Sequence, residues 1–124
     1  MTQTAQPSYV KKRLVILESP YAGDIERNVA YARACVNDCI HRNEAVQASH
    51  LLYTQEGILD DNSPEERQLG IECGWAWMRV AEAVVVYSDF GISPGMALGI
   101  TAALNLGLLV EYRSLPDKLW APFK

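Results

Sequence analysis

Two short loops carry residues whose types and spacing suit chemistry. Ser19-Pro20-Tyr21-Ala22-Gly23-Asp24 follows an apolar run that ends in Glu18. Ser88-Asp89-Phe90-Gly91-Ile92-Ser93-Pro94-Gly95 follows a run of β-branched residues and leads into a stretch of small ones. Gly91 and Gly95 tolerate positive φ and let a ligand approach the backbone. Ser93 offers a hydroxyl. A helix starting near Pro94 presents free N–H groups and the positive end of its dipole, which suits a phosphate or a carboxylate. The competing reading is a tight strand-to-helix turn in which Ser93 is only an N-cap. The loop is not a Walker loop, because no Gly-Lys-Ser/Thr follows.

The elements that must hold these loops follow from hydrophobic patterning. Residues 1–12 read as a tail. Residues 13–18 form a short apolar run, a buried strand. Asp24 is placed to cap a helix with an apolar face at Ile25, Val29, Ala32, Val36, Cys39 and Ile40, ending near Arg42-Asn43. Residues 44–48 read as a weaker strand, and 49–62 as irregular. Ser63, Pro64 and Glu66 make an N-cap, an N1 proline and an N3 glutamate, a capping box for a helix to about Val80. That helix carries Leu69, Cys73, Ala76, Trp77 and Val80 on one side and Ile71, Trp75 and Met78 on another. It is either sandwiched within the fold or packed on another subunit, and Gly70 and Gly74 allow close approach. A strand at 83–87, a helix at 94–105 stopped by Gly107 and a strand at 108–112 complete the series. The tail, 114–124, carries Trp120 and Phe123, expected back on the body or on a neighbour.

Strands alternating with helices predict a doubly wound α/β domain, flavodoxin- or Rossmann-like, with a parallel sheet of four to five strands. Ligands in such folds sit outside the carboxyl ends of the strands, where strand order reverses. With strands one and three adjacent, the two loops line one crevice.

Composition bounds the rest. The chain has 124 residues, 49% hydrophobic and 21% charged, enough for one compact domain. Its net charge of −4 argues against a general nucleic-acid binder. No apolar run is long enough to span a bilayer, and the first residues show no secretion signal, so a cytoplasmic protein without membrane partners is expected. Cys35, Cys39 and Cys73 read as reduced thiols, the first two as small buried hydrophobes. Asp60 and Asp61 diverge and have no companion ligands, so neither a metal nor another cofactor is expected.

The stretches VILESPYAGDIERNVAYAR, ASHLLYTQ, SPEERQLGIECG and DFGISPGM together resemble a group of small bacterial and phage proteins similar to the nucleoside 2-deoxyribosyltransferases. The resemblance covers roughly residues 13–113. It implies a small doubly wound domain, a homo-oligomer and a crevice for a nucleoside or nucleotide. It implies that Ser19, Pro20, Tyr21, Ala22 and Gly23 shape the base and sugar pocket. Ser93-Pro94-Gly95 would hold the sugar or its 5′-phosphate, with Gly91 and Met96 beside them. A glutamate one turn into the next helix would be the nucleophile. Here that position is Gly99, and no carboxylate follows through Asn105.

Other groups are candidates to substitute. Asp89 is placed to bind a ribose hydroxyl or act as a base, or else caps its turn. Glu18 points toward the same edge, or is a solvated strand end. Glu65 and Glu66 reach toward the crevice, or simply favour the helix start. His50 would meet a phosphate or a leaving base near neutral pH, or is a hydrogen-bonded structural residue. Tyr21 and Tyr53 suit stacking on a base or packing. Arg27 and Asn28 lie within reach of a phosphate, with a solvated Arg27 as the alternative. His41 reads as surface. The leading expectation is a binder of a nucleoside, nucleotide or related ribosyl phosphate. The alternatives are an N-glycosidase or deoxyribosyltransferase-like enzyme using Glu18, Asp89 or Glu66, and an oligomeric scaffold joined through Ile71, Trp75 and Met78.

Overall fold

The computed structural model describes residues 11–124. The reading of residues 1–12 as a tail therefore falls almost wholly outside the described residues. The chain runs β1 (Arg13–Glu18), α1 (Ile25–His41), β2 (Glu44–Gln47), α2 (Ser49–Leu52), α3 (Pro64–Trp77), β3 (Ala83–Tyr87), α4 (Pro94–Asn105), β4 (Leu109–Arg113) and α5 (Asp117–Trp120), with a last 3-10 turn at Ala121–Phe123. The four strands form one sheet in the order β2-β1-β3-β4, and every pairing is parallel. This is the doubly wound α/β architecture that the patterning predicts, with β1 and β3 side by side.

Strand side chains alternate between faces, and each face buries its own cluster. Val15, Leu17, Val85 and Tyr87 pack with Tyr31, Cys35 and Cys39 of α1. Ile16, Val84 and Val86 pack with Met96, Ile100 and Ala103 of α4 and with Met78. All five residues of β3 are buried, as a central strand requires. Gly107, at φ 74°, ends α4: the Leu108 N–H reaches back to the Ala103 carbonyl.

Three local expectations are corrected. The inward face of α1 is turned from the predicted one. It buries Asn28, Tyr31, Ala32, Cys35, Asp38 and Cys39, whereas Ile25 and Ile40 are exposed. The cause is polar pairing: Asn28 donates to the Tyr21 and Ala22 carbonyls, and Asp38 accepts from Tyr87 and Arg42. The stretch after β2 is not wholly irregular, since it contains α2. Only half of the capping box at α3 forms: Ser63 accepts from the Glu66 N–H, but the Glu66 carboxylate accepts from the Asp60 N–H.

Phe90, Trp120 and Phe123 gather around Tyr31, with Tyr31 and Phe90 ring centres 4.8 Å apart, so the C-terminal segment covers α1 and the loop after β3. On the α1 side of the sheet, Arg113 and Glu44, both almost fully buried, pair at 2.6 Å, and Arg13 and Glu111 complete the network.

Candidate functional site

A cavity of about 300 Å³ opens at the carboxyl ends of β1 and β3. β1 and the loop after it contribute Ile16, Glu18, Ser19, Tyr21 and Ala22, and α4 with its cap contributes Ser93, Gly95, Met96, Leu98 and Gly99. The opposite wall comes from α2, the segment after it and α3. That wall is brought close by a glycine seam. A Cβ on Gly74 would stand 2.8 Å from Ser49 Oγ, and one on Gly70 would meet Leu59 at 3.4 Å. The spacing of these two glycines signalled a close approach, and its partner is α2 and the chain that follows it. The stripe Ile71, Trp75 and Met78 lines the cavity, and Met78 is core. Leu69, Trp77 and Val80 are left outward on and just beyond α3, and Trp75 is itself more than a third exposed.

Glu18 is the most distinctive group. β1 ends with Ile16 and Glu18 on the face that packs against α4, and Glu18 stands in register with Val86. Its carboxyl occupies the space beside Gly99: a Cβ there would collide with Oε2 and lie 2.6 Å from Cδ. No side-chain hydrogen bond or ion pair reaches Glu18 among the described residues. Burial pushes its pKa up to about 8, so it is a largely uncharged acid at neutral pH.

Next to it, Ser19 Oγ lies 2.6 Å from His50 Nε2. Burial lowers the His50 pKa to about 4, which keeps the imidazole neutral. The floor of the cavity is therefore polar without charge. Charge collects at the rim, where Asp61, Glu66 and Arg67 line it and Arg67 stands 3.9 Å from Asp61. Tyr53 adds an aromatic face, and its hydroxyl accepts from Trp77 Nε1 at 3.2 Å.

The start of α4 uses most of its own donors. Ser93 Oγ accepts from the Met96 N–H at 3.3 Å, the Ser93 carbonyl takes the Ala97 N–H, and Pro94 has none to give. The Gly95 N–H is the first-turn donor left without a partner among the described residues.

Of the residues singled out from sequence, Glu18, Ser19, Tyr21, Ala22, His50, Tyr53, Glu66, Ser93, Gly95 and Met96 line this one cavity. Pro20, Gly23, Arg27, Asn28, Asp89 and Gly91 do not. The Asp89 carboxylate instead accepts from Tyr31 at 2.6 Å and from the Leu115 N–H, which ties α1 to the C-terminal segment. The Arg27 guanidinium stacks 3.9 Å over the Phe90 ring and donates to Asn28. Gly23 and Gly91 serve backbone turns at positive φ. His41 is exposed, with Nδ1 at 2.8 Å from the Asn37 carbonyl. Thr54, Asp61, Arg67 and Trp75 line the cavity without having been named for it. The arginine and aspartate carry no sequence signal beyond their position ahead of and within α3.

Cys35 and Cys39 are buried and Cys73 is exposed. Among the described residues, no group of three or more His, Cys, Asp and Glu side chains is arranged to hold a metal ion, and no helix is long and apolar enough to cross a membrane. No curated protein matches the chain. A family model spans residues 13–113, from the first residue of β1 to the last of β4, and the chain belongs to that family, described as Domain of unknown function (DUF7768).

Proposed function

We propose that the cavity binds a nucleoside or a related ribosyl compound and that Glu18 supplies the carboxyl group that acts on its glycosidic bond. The seat of Glu18 against Gly99 carries this reading. The resemblance to nucleoside 2-deoxyribosyltransferases places a glutamate on α4 at the position of Gly99. Here a carboxyl reaches the same space from β1, and the missing side chain on α4 is what admits it. Tyr21, Tyr53 and Trp75 offer faces for a base.

An acid with a pKa near 8 is matched to donating a proton near neutral pH. As the bond from the anomeric carbon to the base nitrogen breaks, Glu18 protonates the leaving base. Water or an acceptor hydroxyl adds to the anomeric carbon and returns a proton to the carboxylate. The rim, with Asp61 and Glu66 against one paired Arg67, favours a nucleoside over its phosphates.

The test is incubation with a panel of nucleosides and their monophosphates, with released base followed by chromatography. Wild-type protein releases base, and Glu18→Gln does not, while ligand-dependent thermal stabilisation survives in both. A second reading, binding without turnover, is favoured by Glu18 having no ion-pair partner among the described residues, so that desolvation keeps it from ionising as a nucleophile. It predicts no base release, but stabilisation of about 2.7 kcal/mol at a hundred times the dissociation constant. Absence of stabilisation by every nucleoside and nucleotide overturns both.

A further inference from the structure

Ser19 and His50 play no part in that glycosyl chemistry, yet they pair a nucleophile with a base inside the cavity. The two arrive from separate elements. Ser19 follows directly from β1, near the centre of the sheet, and is 5% exposed. His50 is carried by α2, where Thr54 Oγ1 donates to the His50 carbonyl at 2.6 Å and the Gly74 seam holds Ser49. The contact of 2.6 Å between Oγ and Nε2 joins the sheet side of the cavity to its opposite wall. Burial keeps the imidazole in its basic, uncharged form throughout the neutral range. The unpartnered Gly95 N–H belongs to the lining of the same space.

We propose that Ser19 is an activated nucleophile, with His50 as its general base, and that this pair hydrolyses small acyl esters. Ser19 donates its hydroxyl proton to His50 Nε2 as Oγ forms a bond to the acyl carbon. The bond from that carbon to the alcohol oxygen then breaks, and His50 returns the proton to the departing alcohol. Water, deprotonated by His50, attacks the acyl-serine, and the acid leaves as Oγ takes the proton back. One ester and one water become one acid and one alcohol, and no other reactant is consumed. The Gly95 N–H is a donor available to the carbonyl oxygen as it gains charge. Tyr21, Trp75, Met78 and Leu98 give the apolar walls that an aryl or short alkyl group fills.

The experiment treats the full chain with an alkyl fluorophosphonate and locates the adduct by peptide mass spectrometry, with p-nitrophenyl acetate hydrolysis measured in parallel. A single adduct on Ser19 is expected in the wild type. Its rate of formation rises through pH 4 with the neutral form of His50 and stays level to pH 8. His50→Gln slows it by about a hundredfold or more, and Cys73→Ser, on an exposed position outside the cavity, leaves it unchanged. Wild-type protein without an adduct on Ser19 overturns the proposal, and so does a labelling rate in His50→Gln within about threefold of wild type. Labelling requires no glycosyl chemistry, so its outcome and that of the base-release assay are read separately. The wild-type map decides by itself should Ser19→Ala fail to fold.

Discussion

Replacing Glu18 by Gln removes one titrating proton and little else, since the amide has nearly the shape of the neutral acid. The consequence for stability is fixed by where the carboxyl sits. Burial beside Gly99 raises its pKa from 4.5 to about 8. Below pH 4.5 both the folded and the unfolded chain hold the proton, and burial of the neutral acid adds no ionisation cost. Between 4.5 and 8 the unfolded chain releases the proton while the folded chain retains it, so the wild type loses about 1.4 kcal/mol of stability for each pH unit. At pH 7 that is about 3.4 kcal/mol. Above pH 8 the cost levels at about 5 kcal/mol. Glu18→Gln lacks this dependence. Urea denaturation of both proteins at half-unit steps from pH 4 to 9 gives the difference directly, because every other titrating group is common to the two. The variant gains on the wild type steadily from pH 4.5 to 8 and then stays level. A difference that is constant with pH, or that grows toward acid, refutes a desolvated Glu18 that holds its proton at neutral pH. The catalytic reading of that residue falls with it.

His50→Gln acts on the opposite side of neutrality. The folded His50 binds its proton only near pH 4 whereas the unfolded one does so at 6.5, so wild-type stability falls by up to about 3.4 kcal/mol as pH drops from 6.5 to 4; denaturation curves of the variant lack that loss. Arg113→Met strands the buried Glu44 carboxylate, which accepts from Arg113 at 2.6 and 2.7 Å. The expected cost is about 3 kcal/mol in urea denaturation, with Arg13, at 3.4 Å from Glu44, limiting the damage.

The sheet was legible because its signals are local. Apolar runs, Asp24, Ser63 and Ser93 as caps, and Gly107 as a stop each act within a few residues, and the alternation of strand and helix then leaves few topologies. The inward face of α1 was misread because periodicity weighs only apolar residues. Ile25 and Ile40 looked like core, whereas Asn28 and Asp38 are buried by partners in the loop after β1 and on β3, remote in sequence or invisible to a hydropathy pattern. The same blindness assigned Arg27 and Asp89 to a ligand. Their partners, Phe90 of the loop after β3 for one and Tyr31 of α1 with the Leu115 N–H for the other, are tertiary contacts that hydropathy does not mark.

Gly99 shows the limit most sharply. Read along the chain, a glycine at a position where a carboxylate is expected means a lost function. Read in space, the same glycine leaves a volume, and strand parity sends Glu18 into it: Ile16 and Glu18 share a face, and that face packs on α4. Parity was available from the sequence, but the distance was not. A deletion on one element and a side chain on another are one feature of the site, which makes Gly99→Ala as direct a perturbation of the Glu18 carboxyl as any substitution of Glu18 itself.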